Sequence, residues 1–422
     1  MSRSKRLVVL VLLTVAVVLA ACAPAATPEP EVITKVETKV ITEKEVVVVT
    51  PTPPPAKTYP PLEEEEEIRI GVWLGMTGAQ AAGSKFKLEG TEMAHEERPD
   101  VNGVPVRLIL MDDRTEATES VNVVARLIEQ EKVHALLGGS TSGLTLAGGQ
   151  VAEEYGIPNV CYLCSNPATT TNRYYNFSCT YTDAWAGLQG AKYAALTKEW
   201  KTVAMMVNIQ RDYSVGITRF FRDAFIELTG GDPSVVLGFF ASQNGDTDFT
   251  AQLTAIKDLD PDFIHTSLSY QESVLVFQQA AELGLDIPWM GVENWDYPDF
   301  IGASGPAVEG ACCAMDYDYR AFDNPVANAF VDRSFELDIM PNHNQALAYD
   351  GYMMLLDAID RAGTLDPEAI TQALYETDGF LGCSGPITIP AYEPDKDHHP
   401  YKAVVVRCVE NGQWEVKDVV LP

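Results

Sequence analysis

The sequence predicts an α/β protein made of two doubly wound, Rossmann-like lobes joined by a hinge, in the manner of a clamshell. From Ile68 onward, short apolar strands alternate with amphipathic helices, which is the pattern of parallel sheets covered on both faces. The same alternation restarts after Asp183, so we expect a second sheet. A chain of 422 residues, 46% of them hydrophobic, is long enough to bury two cores.

The first series predicts strands over 68–73, 105–112, 133–138 and 158–162, separated by helices over 84–97, 117–131 and 144–155. The second series predicts helices over 184–199, 214–229, 247–258 and 271–284, alternating with strands over 202–207, 234–240, 262–267 and 288–291. Helices over 325–337 and 343–362 follow, and then strands over 386–389, 402–408 and 413–417. We assign 67–182 with 316–395 to the first lobe and 183–315 with 396–422 to the second.

Residues 1–21 have the composition of a bacterial signal sequence. Three basic residues precede an apolar stretch from Leu7 to Ala21 that is too short to span a bilayer comfortably. The stretch ends in Leu-Ala-Ala-Cys, which resembles the lipobox of bacterial lipoproteins. The alternative is an ordinary secretory signal with an incidental cysteine. We expect lipid on Cys22 and a location outside the cytoplasm, in the periplasm or on the outer cell surface.

Residues 22–66 are predicted to form the lipidated cysteine and a disordered tether. Six prolines between residues 51 and 61 and a closing run of glutamates from Glu63 to Glu67 disfavour a packed core. A solvated chain of this kind holds a folded body near a membrane without fixing its orientation.

Charge and motifs exclude several classes of function. A net charge of −30 argues against binding to nucleic acid or to anionic lipid. The chain has no P-loop, no dinucleotide fingerprint, no nucleophile elbow and no zinc-protease motif. His343 and the three histidines before it are isolated, and the adjacent pair His398-His399 is poorly spaced to bind one metal. We expect no enzymatic activity, no cofactor and no metal.

The cysteines fit a location outside the cytoplasm, where disulfides persist. Seven follow the lipobox, so at least one is unpaired or pairs between chains. We favour the pairs Cys383–Cys408 and Cys164–Cys179. Cys161-x-x-Cys164 looks like a redox motif, but it lies at a strand end rather than opening a helix, which argues against a thioredoxin-like role.

Loops after four predicted strands point to a ligand cleft. Open parallel sheets bind ligands outside the carboxyl ends of their strands. The segment "GGSTSG" (138–143) follows one such strand and offers backbone N–H groups and hydroxyls at a helix start, where anions bind. The segment "YLCSNPATTT" (162–171) follows the next strand, and the loops with Tyr213 and Glu293 hold the equivalent places in the second series.

Several segments carry a family resemblance from about Ile68 to the C-terminus. They are "IRIGVWLGMTG" (68–78), "ALLGGSTSG" (135–143), "EEYGIP" (153–158), "DFTAQL" (248–253), "QQAAELGLDIPWMG" (278–291), "YDGYMMLLDAIDRAG" (349–363) and "GPITI" (385–389). In this order and spacing the chain resembles the leucine/isoleucine/valine-binding proteins, the solute receptors of branched-chain amino-acid ABC transporters. The resemblance implies the type 1 periplasmic-binding fold.

The resemblance also implies the ligand site. On the first lobe, the resemblance implies that the Ser142 hydroxyl binds the α-carboxylate and that Leu163 and Ser165 contribute a main-chain carbonyl and a hydroxyl. On the second lobe, it implies that Tyr213 is the aromatic residue that closes over the ligand and that the Glu293 carboxylate binds the ammonium group. Asp183 corresponds to a further acidic position near the site. Two positions depart from the family. Gly83 stands where an aromatic wall is common, and Ser269 replaces a tyrosine, although Tyr270 is adjacent. Trp73, Tyr270 and Trp295 are candidates to refill the side-chain pocket.

The predicted chemistry fits an α-amino acid, of the branched-chain type or related to it. Ser142 and nearby N–H groups suit a carboxylate, and a cleft carboxylate such as Glu293 requires a compensating cation. The alternative for Glu293 is a helix cap. The resemblance implies delivery of the ligand to an ABC permease with its ATPase as partner chains. Two alternatives remain open, a binder of small amides, urea or aromatic acids, and a sensory receptor.

Overall fold

A computed structural model describes residues 59–422. The predicted signal sequence, Cys22 and residues 23–58 of the predicted tether lie outside the described residues. Between residues 59 and 422, no helix is both long and apolar enough to cross a bilayer.

The strands are β1 Ile68–Leu74, β2 Asp100–Val101, β3 Val104–Asp112, β4 Ala135–Gly138, β5 Asn159–Cys161, β6 Asn176–Ser178, β7 Val203–Asn208, β8 Val236–Ser242, β9 Phe263–Thr266, β10 Trp289–Val292, β11 Cys312–Met315, β12 Phe380–Gly382, β13 Gly385–Ile387, β14 Val404–Glu410 and β15 Gln413–Val420. The helices are α1 Ala81–Glu97, α2 Ala117–Glu129, α3 Ser142–Tyr155, α4 Asp183–Lys192, α5 Asp212–Leu228, α6 Thr250–Leu259, α7 Tyr270–Glu282, α8 Phe300–Ser304, α9 Pro325–Glu336, α10 His343–Ala362 and α11 Pro367–Tyr375.

The first sheet has six strands in the order β2-β3-β1-β4-β5-β6, parallel except for the β2–β3 hairpin. Strand β1 alternates its side chains between two cores. Ile70 and Val72 pack with α10 on one face, and Trp73 packs with α2 and α3 on the other. Because both faces are covered, the central strands are continuously apolar, which is why they are conspicuous in the sequence.

The second sheet has seven strands in the order β15-β14-β11-β10-β9-β7-β8. Its first five strands in chain order are parallel, and β14 and β15 add an antiparallel edge beside β11. Helices α4 and α5 cover one face, while α6, α7 and α8 cover the other. The predicted α/β architecture of two doubly wound lobes is therefore confirmed.

The chain passes between the two sheets three times, over residues 179–182, 316–324 and 388–403. Polar contacts connect the first two crossings, since the Thr180 hydroxyl donates a hydrogen bond to Asp316 over 2.8 Å. This contact is buried between the lobes.

Several short elements were missing from the sequence prediction. They are β2, β6, β11, β12, α8 and α11. Strand β11 is four buried residues, Cys-Cys-Ala-Met, a run too short to show a periodicity. The longer helices agree closely with the prediction, and α10 begins and ends at the predicted residues 343 and 362.

The predicted tether extends too far at its C-terminal end. Leu62 is buried in the first core, and its N–H donates a hydrogen bond to the Gly363 carbonyl over 2.9 Å. The Thr364 hydroxyl donates to the Pro60 carbonyl over 3.0 Å. One leucine between prolines and glutamates is enough to dock this segment because the end of α10 offers an apolar pocket and free carbonyls.

Both favoured disulfide pairs were wrong. The bonds join Cys312 to Cys408 and Cys161 to Cys164. Cys312 and Cys408 lie directly opposite each other on the antiparallel strands β11 and β14, an arrangement hidden from a prediction that lacked β11. Among the cysteines that the structure describes, Cys179, Cys313 and Cys383 are buried and unpaired.

Candidate ligand-binding site

A polar cavity lies between the two lobes, at the carboxyl ends of strands from both sheets. Its lining is Gln80, Lys87, Ser140, Thr141, Ser142, Leu163, Arg211, Tyr213, Glu293, Asn294, Tyr297, His343 and Asn344. The predicted site residues Ser142, Leu163, Tyr213 and Glu293 are thus brought together in one cavity.

The first-lobe wall is the start of α3. Gly139 has a φ of +86°, and a Cβ there would collide with the Thr145 hydroxyl, so the turn into the helix requires glycine. The Thr141 side chain caps the helix by accepting a hydrogen bond from the Leu144 N–H. The N–H groups of Ser142 and Gly143 in the same first turn have no helical acceptor, which makes this end of the helix suited to an anion.

Hydrogen bonds from neighbouring segments hold this first-lobe wall in place. Ser140 accepts a hydrogen bond from the Gly75 N–H through its hydroxyl (2.7 Å), and its carbonyl accepts one from Lys87 Nζ (2.9 Å). The Ser142 hydroxyl accepts a longer bond from the Asn166 N–H at 3.3 Å. The loop therefore presents its donors in a preset geometry.

The second-lobe wall carries Glu293 and Tyr213. Glu293 follows β10 directly, and burial together with the nearby charge of Asp316 raises its pKa to about 7. No basic side chain in the described part of the chain lies within ion-pair distance of Glu293. The buried Tyr213 hydroxyl lies beside Glu293 and has no hydrogen-bond partner of good geometry among the described residues. Both groups are free to bind a ligand.

His343, at the first position of α10, also lines the cavity. Its ring Nδ1 lies 3.2 Å from Asp316 Oδ1, and its backbone N–H donates a hydrogen bond to the Asp296 carboxylate over 2.7 Å. Burial lowers the pKa of His343, but the hydrogen bond and charge of Asp316 outweigh it and raise the pKa overall. The two side chains form a compensated pair beneath Glu293.

Two basic residues that sequence reasoning missed line the same cavity. Burial lowers the pKa of Lys87 to about 7, with Asp113 opposing and Arg211 reinforcing the shift. Lys87 lies on the buried face of α1 with Gly83, Gly90 and Ala94, a helical spacing that was readable in the sequence. Arg211 is the N-cap residue of α5, two residues before Tyr213, which lies in the first turn of that helix.

Gly83 stands where the family commonly has an aromatic side chain, and here Tyr297 of the opposite lobe brings an aromatic ring to this place. A Cβ on Gly83 would lie 2.7 Å from the Tyr297 hydroxyl. Tyr270 does not line the cavity, because its ring packs against Tyr297 and its hydroxyl donates to Asp299 over 2.7 Å. Trp73 and Trp295 are fully buried in the cores rather than in the pocket, and Ser269 caps α7.

Ser165 and Asp183 lie behind the cavity wall rather than in it. The Ser165 carbonyl accepts a hydrogen bond from the Asp183 N–H over 2.8 Å. Asp183 is fully buried, and burial raises the pKa of its carboxyl well above the usual range. His398 and His399 also stand apart, and each lies 2.7 Å from a backbone carbonyl oxygen, of Asn176 and Cys164 respectively.

Two α/β lobes with a polar cavity between their strand ends have the arrangement of a clamshell solute-binding protein. The family model described as periplasmic binding protein matches residues 67–413, and the chain belongs to this family.

Three similar proteins illustrate the relationship. The crystal structure of a leucine-binding protein, LivK, from Thermotoga maritima has a TM-score of 0.79 and 37% identity, covering 84% of this chain and 99% of its own. The branched-chain amino-acid-binding protein LivJ of Streptococcus pneumoniae, in complex with isoleucine, has a TM-score of 0.77 and 25% identity, covering 84% and 100%. The Leu/Ile/Val-binding protein homolog 2 of Brucella abortus is 24% identical over 352 residues, covering 82% and 92%.

Proposed function

We propose that this protein is the extracytoplasmic solute-binding lipoprotein of an ABC importer and that it binds an α-amino acid between its lobes. The names of its relatives, which include leucine- and isoleucine-binding proteins, support an amino acid as ligand. Closure of the lobes over the ligand creates the form that a permease recognises. Lipid on Cys22 and the tether keep the protein at the membrane.

The observation that carries this proposal is the separation of charge across the cavity. The first lobe offers the free N–H groups of Ser142 and Gly143, which suit the α-carboxylate. The second lobe offers Glu293, whose carboxylate lacks a cationic partner among residues 59–422, and an ammonium group would compensate it. One zwitterionic head group satisfies both walls only when the lobes are closed.

A ligand screen tests the proposal. We expect amino acids to raise the melting temperature in a thermal-shift assay, and Glu293→Gln to weaken their binding by about 30-fold or more in calorimetry, because a desolvated cation then loses its partner. Ser142→Ala should cost less, since the N–H groups still hold the carboxylate. A response confined to amides, urea or aromatic acids, with Glu293→Gln neutral, would contradict an amino-acid ligand.

A further inference from the structure

We infer that the ligand carries a second anionic group besides its α-carboxylate, and that Lys87 and Arg211 bind this group. The ligand class is then an acidic amino acid, with aspartate and glutamate as its simplest members. This inference rests on the proposed function, because it places the head group on Ser142 and Glu293.

Neither cation has a carboxylate partner in the part of the chain that the structure describes. Lys87 is 2% exposed, and its ammonium group donates only to the Ser140 carbonyl. The nearby Asp113 is engaged elsewhere, since it accepts hydrogen bonds from the Thr115 N–H (2.9 Å) and the Ser120 hydroxyl (3.2 Å).

Arg211 is equally free. Its guanidinium makes no hydrogen bond and no ion pair with any residue between 59 and 422. The adjacent carboxylate of Asp212 lies against Gly143 across the cleft, with Oδ2 2.8 Å from the position that a Cβ of residue 143 would take. Two cations that face one cavity repel each other, and the buried Lys87 also loses hydration, so an anion between them would relieve both costs.

The charged side chains that line the cavity favour an acidic ligand. Asp316 compensates His343, and neither Asp113 nor Asp212 is a lining residue, so the lining itself sets Lys87 and Arg211 against Glu293. A neutral zwitterion leaves one positive charge unmatched. A ligand with one extra carboxylate removes this excess.

The lining also disfavours an aliphatic side chain. Of the cavity residues in the described chain, Leu163 is the one aliphatic member, and the two tyrosines that accompany it carry hydroxyls. The side chain of leucine, isoleucine or valine would be buried against charged and amide groups, and those groups would lose water without gaining hydrogen bonds.

Calorimetry with L-glutamate, L-aspartate, L-glutamine, L-leucine and glutarate tests the inference. We expect L-glutamate or L-aspartate to bind at least about 30-fold more tightly than L-glutamine or L-leucine, because the neutral ligands leave the buried Lys87 and the half-buried Arg211 unpaired. Lys87→Met should abolish most of this preference. The matched control is Lys85→Met on the same helix, whose side chain is 73% exposed and should leave the preference unchanged.

Arg211→Gln, at a half-exposed position, provides a second variant if Lys87→Met fails to fold. Tighter binding of L-leucine than of both acidic amino acids overturns the inference and leaves the proposed function standing. If glutarate binds as tightly as L-glutamate and Glu293→Gln leaves the affinity unchanged, the ammonium site is contradicted and the proposed function is overturned. Loss of glutarate binding in Lys87→Met would still support the anion site in that case. No response to any of the five ligands overturns both.

Discussion

The Tyr297 hydroxyl of the second lobe lies against Gly83 of the first, where a Cβ would approach it to 2.7 Å. This contact crosses the cleft, so a side chain at residue 83 obstructs closure rather than folding.

We therefore expect Gly83→Leu to weaken ligand binding by at least about tenfold while the melting temperature of the unliganded protein changes little. Calorimetry and scattering with saturating ligand check this, since the variant should compact less than the parent. Ala82→Leu is the control, because residue 82 is exposed on the same helix. Unchanged affinity in Gly83→Leu would show that the two lobes do not meet at this point.

The ionisation of Glu293 predicts the pH dependence of binding. Its pKa is raised to about 7 by burial and by Asp316, so the Glu293 carboxyl of the unliganded protein is largely protonated at pH 6. An ammonium ligand requires the ionised form, and binding at pH 6 should be about tenfold weaker than at pH 8 from this group alone. Titrations in Lys87→Met exclude the competing effect of Lys87. The dependence of ligand affinity on pH should vanish in the double variant Lys87→Met, Glu293→Gln.

The raised pKa of Glu293 also predicts how the stability of the unliganded protein depends on pH. A carboxyl whose folded pKa exceeds its unfolded value stabilises the fold most below the unfolded pKa, and this contribution is lost as the pH rises through about 7. We expect unliganded Glu293→Gln to unfold at a higher denaturant concentration than the parent at pH 8, with a smaller difference at pH 5. An equal difference at both pH values would contradict the raised pKa.

The hydroxyl of Tyr213 should contribute to ligand binding and not to folding. It is buried beside Glu293 without a good hydrogen bond among the described residues. Tyr213→Phe should weaken binding about 3- to 10-fold, the effect of one hydrogen bond, and should leave unliganded stability equal or higher. Tyr270→Phe serves as the comparison, because its hydroxyl is bound to Asp299 outside the cavity.

The docked segment before β1 should contribute to stability. Leu62 is 2% exposed within the first core, and Leu62→Ala should lower the free energy of unfolding by about 2–3 kcal/mol. A chain that begins at Glu67 should lose at least as much. Equal denaturation midpoints for chains that begin at Tyr59 and at Glu67 would show that the segment does not pack in solution.

The lipobox predicts the N-terminus of the mature protein. Lipid on Cys22 should place the protein in the membrane fraction, and Cys22→Ser should release or misprocess it. Intact-mass spectrometry measures this directly. An unmodified N-terminus at another residue would disprove lipidation.

Sequence patterns predicted the architecture well because buried parallel strands leave long apolar runs, as in β1 and β7. Strand-end patterns together with the family resemblance predicted Ser142, Tyr213 and Glu293 as site residues, and the structure places all three in the lining of one cavity. Lys87 was missed because it lies inside a helix, where the one signal of its burial was the helical spacing that it shares with Gly83, Gly90 and Ala94. Cys408 was paired wrongly, with Cys383 instead of Cys312, because its partner is set by the register of strands about a hundred residues apart.

Thr180 and Asp316 stand in two of the three chain crossings and are joined by a 2.8 Å hydrogen bond, and Asp316 also holds His343 in the cavity. A ligand that contacts His343 would therefore be linked through Asp316 to two of the three segments that join the lobes. We expect a change in the charge of this histidine to alter how firmly those two segments are held together, because Asp316 binds both the histidine and Thr180.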